Sequence, residues 1–191
     1  MTGAPRERVC VFGGSFNPPH VAHMLAASLA VGMFDMDRVL VVPTYVHPFA
    51  KSLAPYEDRV AMCELAMGWL PRVEISRAEE ELGGESLTLR LVTHLRNAHA
   101  SADLFLLMGA DLMLESSKWY RFDEIRKIAP PLLLGRVGVS YEGAPAPLLP
   151  DVSSTHIRAR IGEGAWAEAA RWLPAKVLVH IRERGLYATA P

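Results

Sequence analysis

The sequence predicts an α/β fold with a doubly wound parallel sheet and a small helical segment at its C-terminal end. Two observations carry this. Short apolar runs alternate along the chain with amphipathic stretches, as strands alternating with helices do. The run Asp103 to Met108 is nearly all apolar, as a strand covered on both faces is.

The elements follow in order. Arg8 to Phe12 (RVCVF) reads as a strand ending at Gly13-Gly14. Pro18 and Pro19 precede a helical stretch to about Val31, since proline is favoured at the first helical position. Arg38 to Val42 is a second strand, stopped by Pro43, and a loop with Pro48 and Pro55 follows. Helix signals return at Glu57, where Val60, Cys63, Met67 and Leu70 form one apolar stripe. Arg72 to Ser76 is a strand, and Ser86 is placed to cap a helix to about Asn97. Gly109 ends the strand from Asp103. Trp119 to Ile128 is helical, Pro131 to Val137 is a strand, and Glu142 to Pro150 is a loop. The tail is helical in two pieces, with Pro174 opening the last, Val177 and Ile181 facing the core, and Gly185 as its C-terminal cap.

The 191 residues favour a single domain over 1–191, with a core of about 8–150 and a helical part over 151–187. A net charge of -1 gives no electrostatic footprint for nucleic acid or a membrane surface. Cys10 and Cys63 have no metal-ligand spacing and read as buried thiols. There is no apolar leader at the N-terminus and no run near the ~20 residues of a membrane span, so the expectation is a cytoplasmic protein.

In an open parallel sheet, ligands bind outside the carboxyl ends of the strands. The segments after Phe12, Val42 and Met108 should meet there. Gly13 to His23 (GGSFNPPHVAH) is the most unusual of them. Its two glycines suit close backbone approach and positive φ, and the helix that follows offers free N–H groups and a dipole to an anion. With a helix starting at Pro19, His20 and His23 share one face of the first turn. Ser15 and Asn17 add short polar groups. By itself the segment does not choose among a tight turn, a metal site and an anion site; a zinc reading of His20 and His23 lacks a third ligand, and the concentration of glycine, polar and imidazole groups at one strand end argues against a mere turn. Neither G-x-G-x-x-G nor G-x-x-x-x-G-K-[ST] is present. A second element, Val152 to Arg158 (VSSTHIR), places Ser153, Ser154 and Thr155 at a helix start and Arg158 one turn on.

GGSFNPPHVAH resembles the signature of the nucleotidyltransferase superfamily that carries an H-x-G-H element, with Ala22 at the glycine. VSSTHIR resembles the same family's I-S-S-T-x-I-R element. Over roughly Val9 to Tyr187 the chain is similar to bacterial nicotinate mononucleotide adenylyltransferases. Gly109 to Ile125, Glu81 to Leu95 and Leu173 to Tyr187 resemble that branch's G-A-D, S-Y-T and closing G-L-Y stretches.

The resemblance implies a Rossmann-like fold and adenylyl transfer from ATP to nicotinate mononucleotide. Mg²⁺ would be carried mainly on the ATP phosphates, with no dedicated protein metal site. It implies that Gly13, Gly14, Ser15, Phe16, His20, His23, Asp111, Ser153, Ser154, Thr155 and Arg158 face ATP. The catalytic set is His20, His23, Lys51 and Arg158, all counted as cations against the phosphates. His47, Lys51, Arg59, Thr88 and Trp119 face the acceptor, with Trp119 stacking on the pyridine ring.

The departures are Asn17 at the branch's aspartate, Leu87 inside S-Y-T, Leu91 at a later threonine, and the loop PTYVHPFAK (Pro43 to Lys51) in place of P-P-H-K. They bear on the acceptor. Nicotinamide mononucleotide or phosphopantetheine therefore stand as alternatives, as does a nucleotide-binding protein without turnover. A nicotinamide-dependent oxidoreductase is disfavoured by the missing dinucleotide fingerprint. The partners expected are ATP and a small phosphorylated acceptor, with no nucleic acid and no membrane. Oligomeric state is open.

Overall fold

The computed structural model describes residues 5–46, 53–114, 119–141 and 143–188. Six strands form one sheet in the order β3-β2-β1-β4-β5-β6. They are β1 (Arg8–Gly14), β2 (Arg38–Pro43), β3 (Val73–Ile75), β4 (Asp103–Gly109), β5 (Pro131–Arg136) and β6 (Pro147–Leu149). Every pairing between them is parallel. The order reverses between β1 and β4, which is where such sheets open a crevice for ligands.

Alternation along the strands explains the two helical layers. Successive side chains of a strand point to opposite faces. Val9, Val11, Leu40, Val42, Leu104 and Leu106 pack with Leu91, Val92 and Leu95 of α4 (Thr88–Ala98) and Ile125 of α6 (Phe122–Ile128). Cys10, Phe12, Val39 and Val41 point the other way. They pack with Ala22 and Ala26 of α1 (Val21–Gly32), Met62 and Cys63 of α2 (Tyr56–Met67), Ile157 of α7 (Ser154–Gly162), Ala169 of α8 (Trp166–Ala170) and Val177 and Ile181 of α9 (Ala175–Glu183). Each fully buried Val, Leu or Ile contributes about 1.5–3 kcal/mol. Both cysteines are free and buried within this second layer. Burial pushes the Cys10 thiol up to about 12 and the Cys63 thiol higher still, so both stay protonated.

The structure departs from the sequence expectations in several places. The first helix starts at Val21, with His20 as its extended N-cap, not at Pro19. Ser86 does not cap α4, whose N-cap is Leu87. Its hydroxyl instead accepts the N–H groups of Tyr45 and Val46, at 3.0 and 3.3 Å, and ties the loop after β2 to the start of α4. Trp119 lies before α6, which opens at Phe122 after Arg121 turns at φ +54°. The Glu142 to Pro150 loop contains β6. The tail has three helices, and two short ones, α3 (Ala78–Leu82) and α5 (Ala110–Leu114), were not expected. Val177, Ile181 and Gly185 behave as expected: the first two are fully buried, and Gly185 turns at φ +60° just past α9.

Candidate active site

Four elements converge at the carboxyl ends of β1, β4 and β5. They are the β1–α1 loop, the N-terminus of α7, the start of α5 and the last residue of β5.

The loop is built first by its own backbone. Gly13 and Gly14 continue β1 without positive φ, so the left-handed turn is made instead by Phe16 at φ +44°. Beside Gly13 there is open space where a Cβ would stand, whereas one on Gly14 would press on the Phe16 ring. Phe16 is 2% exposed, and its ring meets Phe12 and His23 edge-on at 5.3 and 5.0 Å. Its side chain is therefore used in packing the loop, which leaves only its backbone to a nucleotide.

His20 and His23 stand with ring centres 3.9 Å apart. The N–H of His20 donates to Nδ1 of His23 at 3.1 Å. That contact places the His23 proton on Nε2 and leaves Nε2–H as its donor. His20 is 2% exposed, and its Nδ1 has no hydrogen-bond partner. Burial, reinforced by the Arg136 guanidinium, holds the His20 imidazole down at about 3. Burial, then His20, then Arg136 hold His23 well below the usual histidine range. Both rings are neutral at pH 7 in this structure. Against the expectation that they act as cations, burial disfavours the charged form of both rings, and the neutral rings offer N–H donors.

The two sequence elements come together. The Ser154 hydroxyl donates to the Pro18 carbonyl at 2.8 Å, and Arg158 Nη1 donates to the Asn17 carbonyl at 2.8 Å. Ser153 caps α7, its hydroxyl accepting the N–H of His156 at 3.2 Å. Thr155 Oγ1 lies 3.4 Å from Arg158 Nη2.

On the other side, Asp111 is the second residue of α5, two residues after Gly109, where a Cβ would collide with the Asp111 carboxylate. Its Oδ1 stands 3.5 Å from Arg136 Nε, and Arg136 Nη1 donates to the Val152 carbonyl at 2.8 Å. Arg136 was not singled out in the sequence. A cation closing the strand candidate Pro131 to Val137 was the available signal.

The acceptor-side residues are less concentrated. His47 and Lys51 lie outside the described residues. Thr88 is the first residue of α4, partly buried. Trp119 is also partly buried, with Phe122 edge-on at 5.7 Å. Arg59 is 1% exposed and donates to the carbonyls of Ala54 and Ser15, both at 3.0 Å. It props the β1–α1 loop from beneath, which corrects its expected place on the acceptor phosphate. Asn17, read as an acceptor-side departure, is likewise 2% exposed. Its Oδ1 accepts from Ala54 N–H at 3.0 Å and from the Tyr187 hydroxyl at 2.8 Å.

Among the described residues, no three His, Cys, Asp or Glu side chains stand together as a metal site. No described helix is long and apolar enough to cross a membrane.

Residues 11–160 match the family model described as cytidylyltransferase-like. A relative from Anaeromyxobacter sp. (strain K), named a probable nicotinate-nucleotide adenylyltransferase, is 44% identical over 186 residues, covering 95% of this chain and 97% of its own length. The chain belongs to the nicotinate-nucleotide adenylyltransferase family, within the cytidylyltransferase-like group. A second member of the family, from Myxococcus xanthus, is 35% identical, with 96% of each chain covered. The fold of this nucleotidyltransferase is shared with the Plasmodium falciparum nicotinic acid mononucleotide adenylyltransferase solved with NaAD. The TM-score is 0.75 at 16% identity, over 95% of this chain and 97% of the other.

Proposed function

We propose that this protein transfers the adenylyl group of ATP to nicotinate mononucleotide, forming deamido-NAD and pyrophosphate in NAD biosynthesis. The observation that carries the reading is the bonded junction of its two nucleotide elements. Ser154 and Arg158 hold the carbonyls of Pro18 and Asn17, two and three residues before His20. Around that junction lie the N-termini of α1 and α7, both suited to anions.

The acceptor's 5′-phosphate attacks the α-phosphorus of ATP in line, a bond to that phosphorus forms as the bond to the bridging oxygen breaks, and pyrophosphate leaves. A phosphate is already a nucleophile once aligned, so the residues position and neutralise. In this reading Gly13, Gly14 and Ser15 bring backbone against the phosphates. His23 donates through Nε2–H, and His20 donates from the same helix start. Arg158 and Lys51 carry the positive charge, with Arg136 added to them. Ser153, Ser154 and Thr155 line the triphosphate, Asp111 takes ribose hydroxyls, and His47, Thr88 and Trp119 receive the acceptor.

Neutral imidazoles, guanidinium groups and helix N–H groups suit a Mg²⁺ ion held by the ATP phosphates rather than by the protein. When bound, it neutralises charge across those phosphates. The strand core of about 8–150 and the helical part over 151–187 act as one unit here, since each supplies part of the junction. A cytoplasmic location belongs to the same proposal.

Pyrophosphate release from ATP, measured against a panel of phosphorylated acceptors, tests it. Release with nicotinate mononucleotide far above the others is expected. Release confined to nicotinamide mononucleotide or phosphopantetheine sinks the acceptor assignment, and no release with any acceptor sinks the enzymatic reading.

A further inference from the structure

We propose that Tyr187 is a positioning residue for adenylyl transfer, acting through Asn17 on the β1–α1 loop and on Arg158. The inference rests on the reaction proposed above.

Asn17 carries three hydrogen bonds from three distant parts of the chain. Its Oδ1 takes the Ala54 N–H at 3.0 Å and the Tyr187 hydroxyl at 2.8 Å, while its carbonyl takes Arg158 Nη1 at 2.8 Å. Three residues later stands His20, whose N–H holds His23. A shift of Asn17 therefore moves the partner of Arg158 and the start of the histidine pair together.

Tyr187 is itself held from behind. It adopts φ +64°, uncommon for a residue with a side chain, two residues after Gly185 turns at φ +60°. Such a conformation persists where the surroundings fix it. The helix before it, α9, is fastened to α2 by Asp58, which is 5% exposed. Asp58 Oδ1 accepts from Arg184 Nε at 2.9 Å and pairs with His180 Nε2 at 3.0 Å. The next residue in α2 is Arg59, which donates to Ser15 and Ala54. The first turn of α2 thus anchors the loop directly, and anchors α9 so that Tyr187 reaches the same loop. Burial raises the Tyr187 phenol well above its ordinary range, so its hydroxyl remains a donor across working pH.

Tyr187→Phe removes the hydroxyl and keeps the ring, leaving Asn17 Oδ1 with Ala54 alone. Misplacement of reacting groups by about 1 Å costs up to ~10²-fold in rate, and a loop freed at one of its tethers falls below that, at about tenfold in kcat. KM for both substrates stays within about twofold, since the binding groups remain. Combined with Arg158→Lys, the Tyr187→Phe loss shrinks to less than about threefold, because both act through Asn17. Amide hydrogen exchange over residues 15–20, read at Ser15, Phe16, Asn17 and His20 on the same variant without substrate, rises.

Wild-type kcat in Tyr187→Phe overturns the inference. So does full additivity with Arg158→Lys, or unchanged exchange over residues 15–20. Absence of pyrophosphate release by the wild-type protein refutes the proposed reaction instead, and the exchange measurement then decides alone whether Tyr187 holds the loop.

Discussion

Lowering the pH from 7.5 to 5.5 should destabilise the protein through His20, and the size of the effect follows from its surroundings. The folded imidazole is held down at about 3, first by burial and then by Arg136. An unfolded histidine titrates near ~6.5. The unfolded chain therefore binds more protons than the folded one between those values, and stability falls as pH falls. The contribution is complete above about pH 6.5 and is lost progressively toward about pH 3. At pH 5.5 about ten-elevenths of the unfolded imidazole is protonated and almost none of the folded one, a loss of about 1.4 kcal/mol relative to pH 7.5. For a chain of this length that is a fall of about 3–6 °C in Tm. The assay is a pair of thermal melts at the two pH values, on wild type and on His20→Gln. Glutamine carries no charge at either pH, so groups that titrate elsewhere cancel in the comparison. Wild type should lose about 1.4 kcal/mol more than the variant across this window. Parallel losses in the two proteins would refute the reasoning, and so would a wild type that loses less than the variant.

Arg136→Met should raise the His20 titration point, since the guanidinium is the second cause of its depression, while burial keeps it below the ordinary value; imidazole NMR signals followed through pH check both parts. Arg59→Met should cost about 2–4 kcal/mol by leaving the Ser15 and Ala54 carbonyls without their donor, read as a fall in the urea midpoint. A raised acceptor KM with unchanged stability would return Arg59 to the acceptor site. His23→Ala should lower kcat by ~10²–10³ while the melt stays cooperative, as expected for loss of a transition-state donor, and near-full turnover would remove His23 from the reaction.

Local rules made much of the fold readable. Strands β1, β2, β4 and β5 are apolar runs of six or seven residues ended by Gly, Pro or Arg, and each lies where its pattern puts it. β6 escaped because three residues opening on Pro147 show no alternation to detect. The start of α1 was misplaced because proline's preference for the first helical turn is local, while His20 stays extended with its N–H taken by the His23 ring. Ser86 carried a sound capping signal, but its hydroxyl has two backbone donors from 41 and 40 residues away. The site divides the same way. Gly13 to His23 and Val152 to Arg158 could be found as contiguous segments with their own chemistry. The junction at Asn17 could not, since its partners stand 37, 141 and 170 residues off. Arg59 misled for a related reason: sequence shows a cation but not that two carbonyls already hold it.

The same electrostatics explains which cations the site can use. Charging either imidazole is opposed by burial and by Arg136, and the positive end of the α1 dipole acts in the same direction. A histidine in this position meets that pressure and is held neutral. A guanidinium is not, because its proton is held across the whole working range, and its planar fork matches phosphate oxygens as well as backbone carbonyls. The structure sets Arg136 and Arg158 at this point, each with one donor already fixed on a carbonyl, Val152 and Asn17. Fixing one arm of the fork orients the rest, so less side-chain freedom remains to be lost when phosphate is bound. The histidines then serve a different need. Neutral and close-packed, they offer directed N–H groups beside the helix start without adding a buried charge that would cost several kcal/mol to desolvate. In the proposed reaction, permanent charge at the arginines and neutral donors at the histidines divide the task of holding the phosphates.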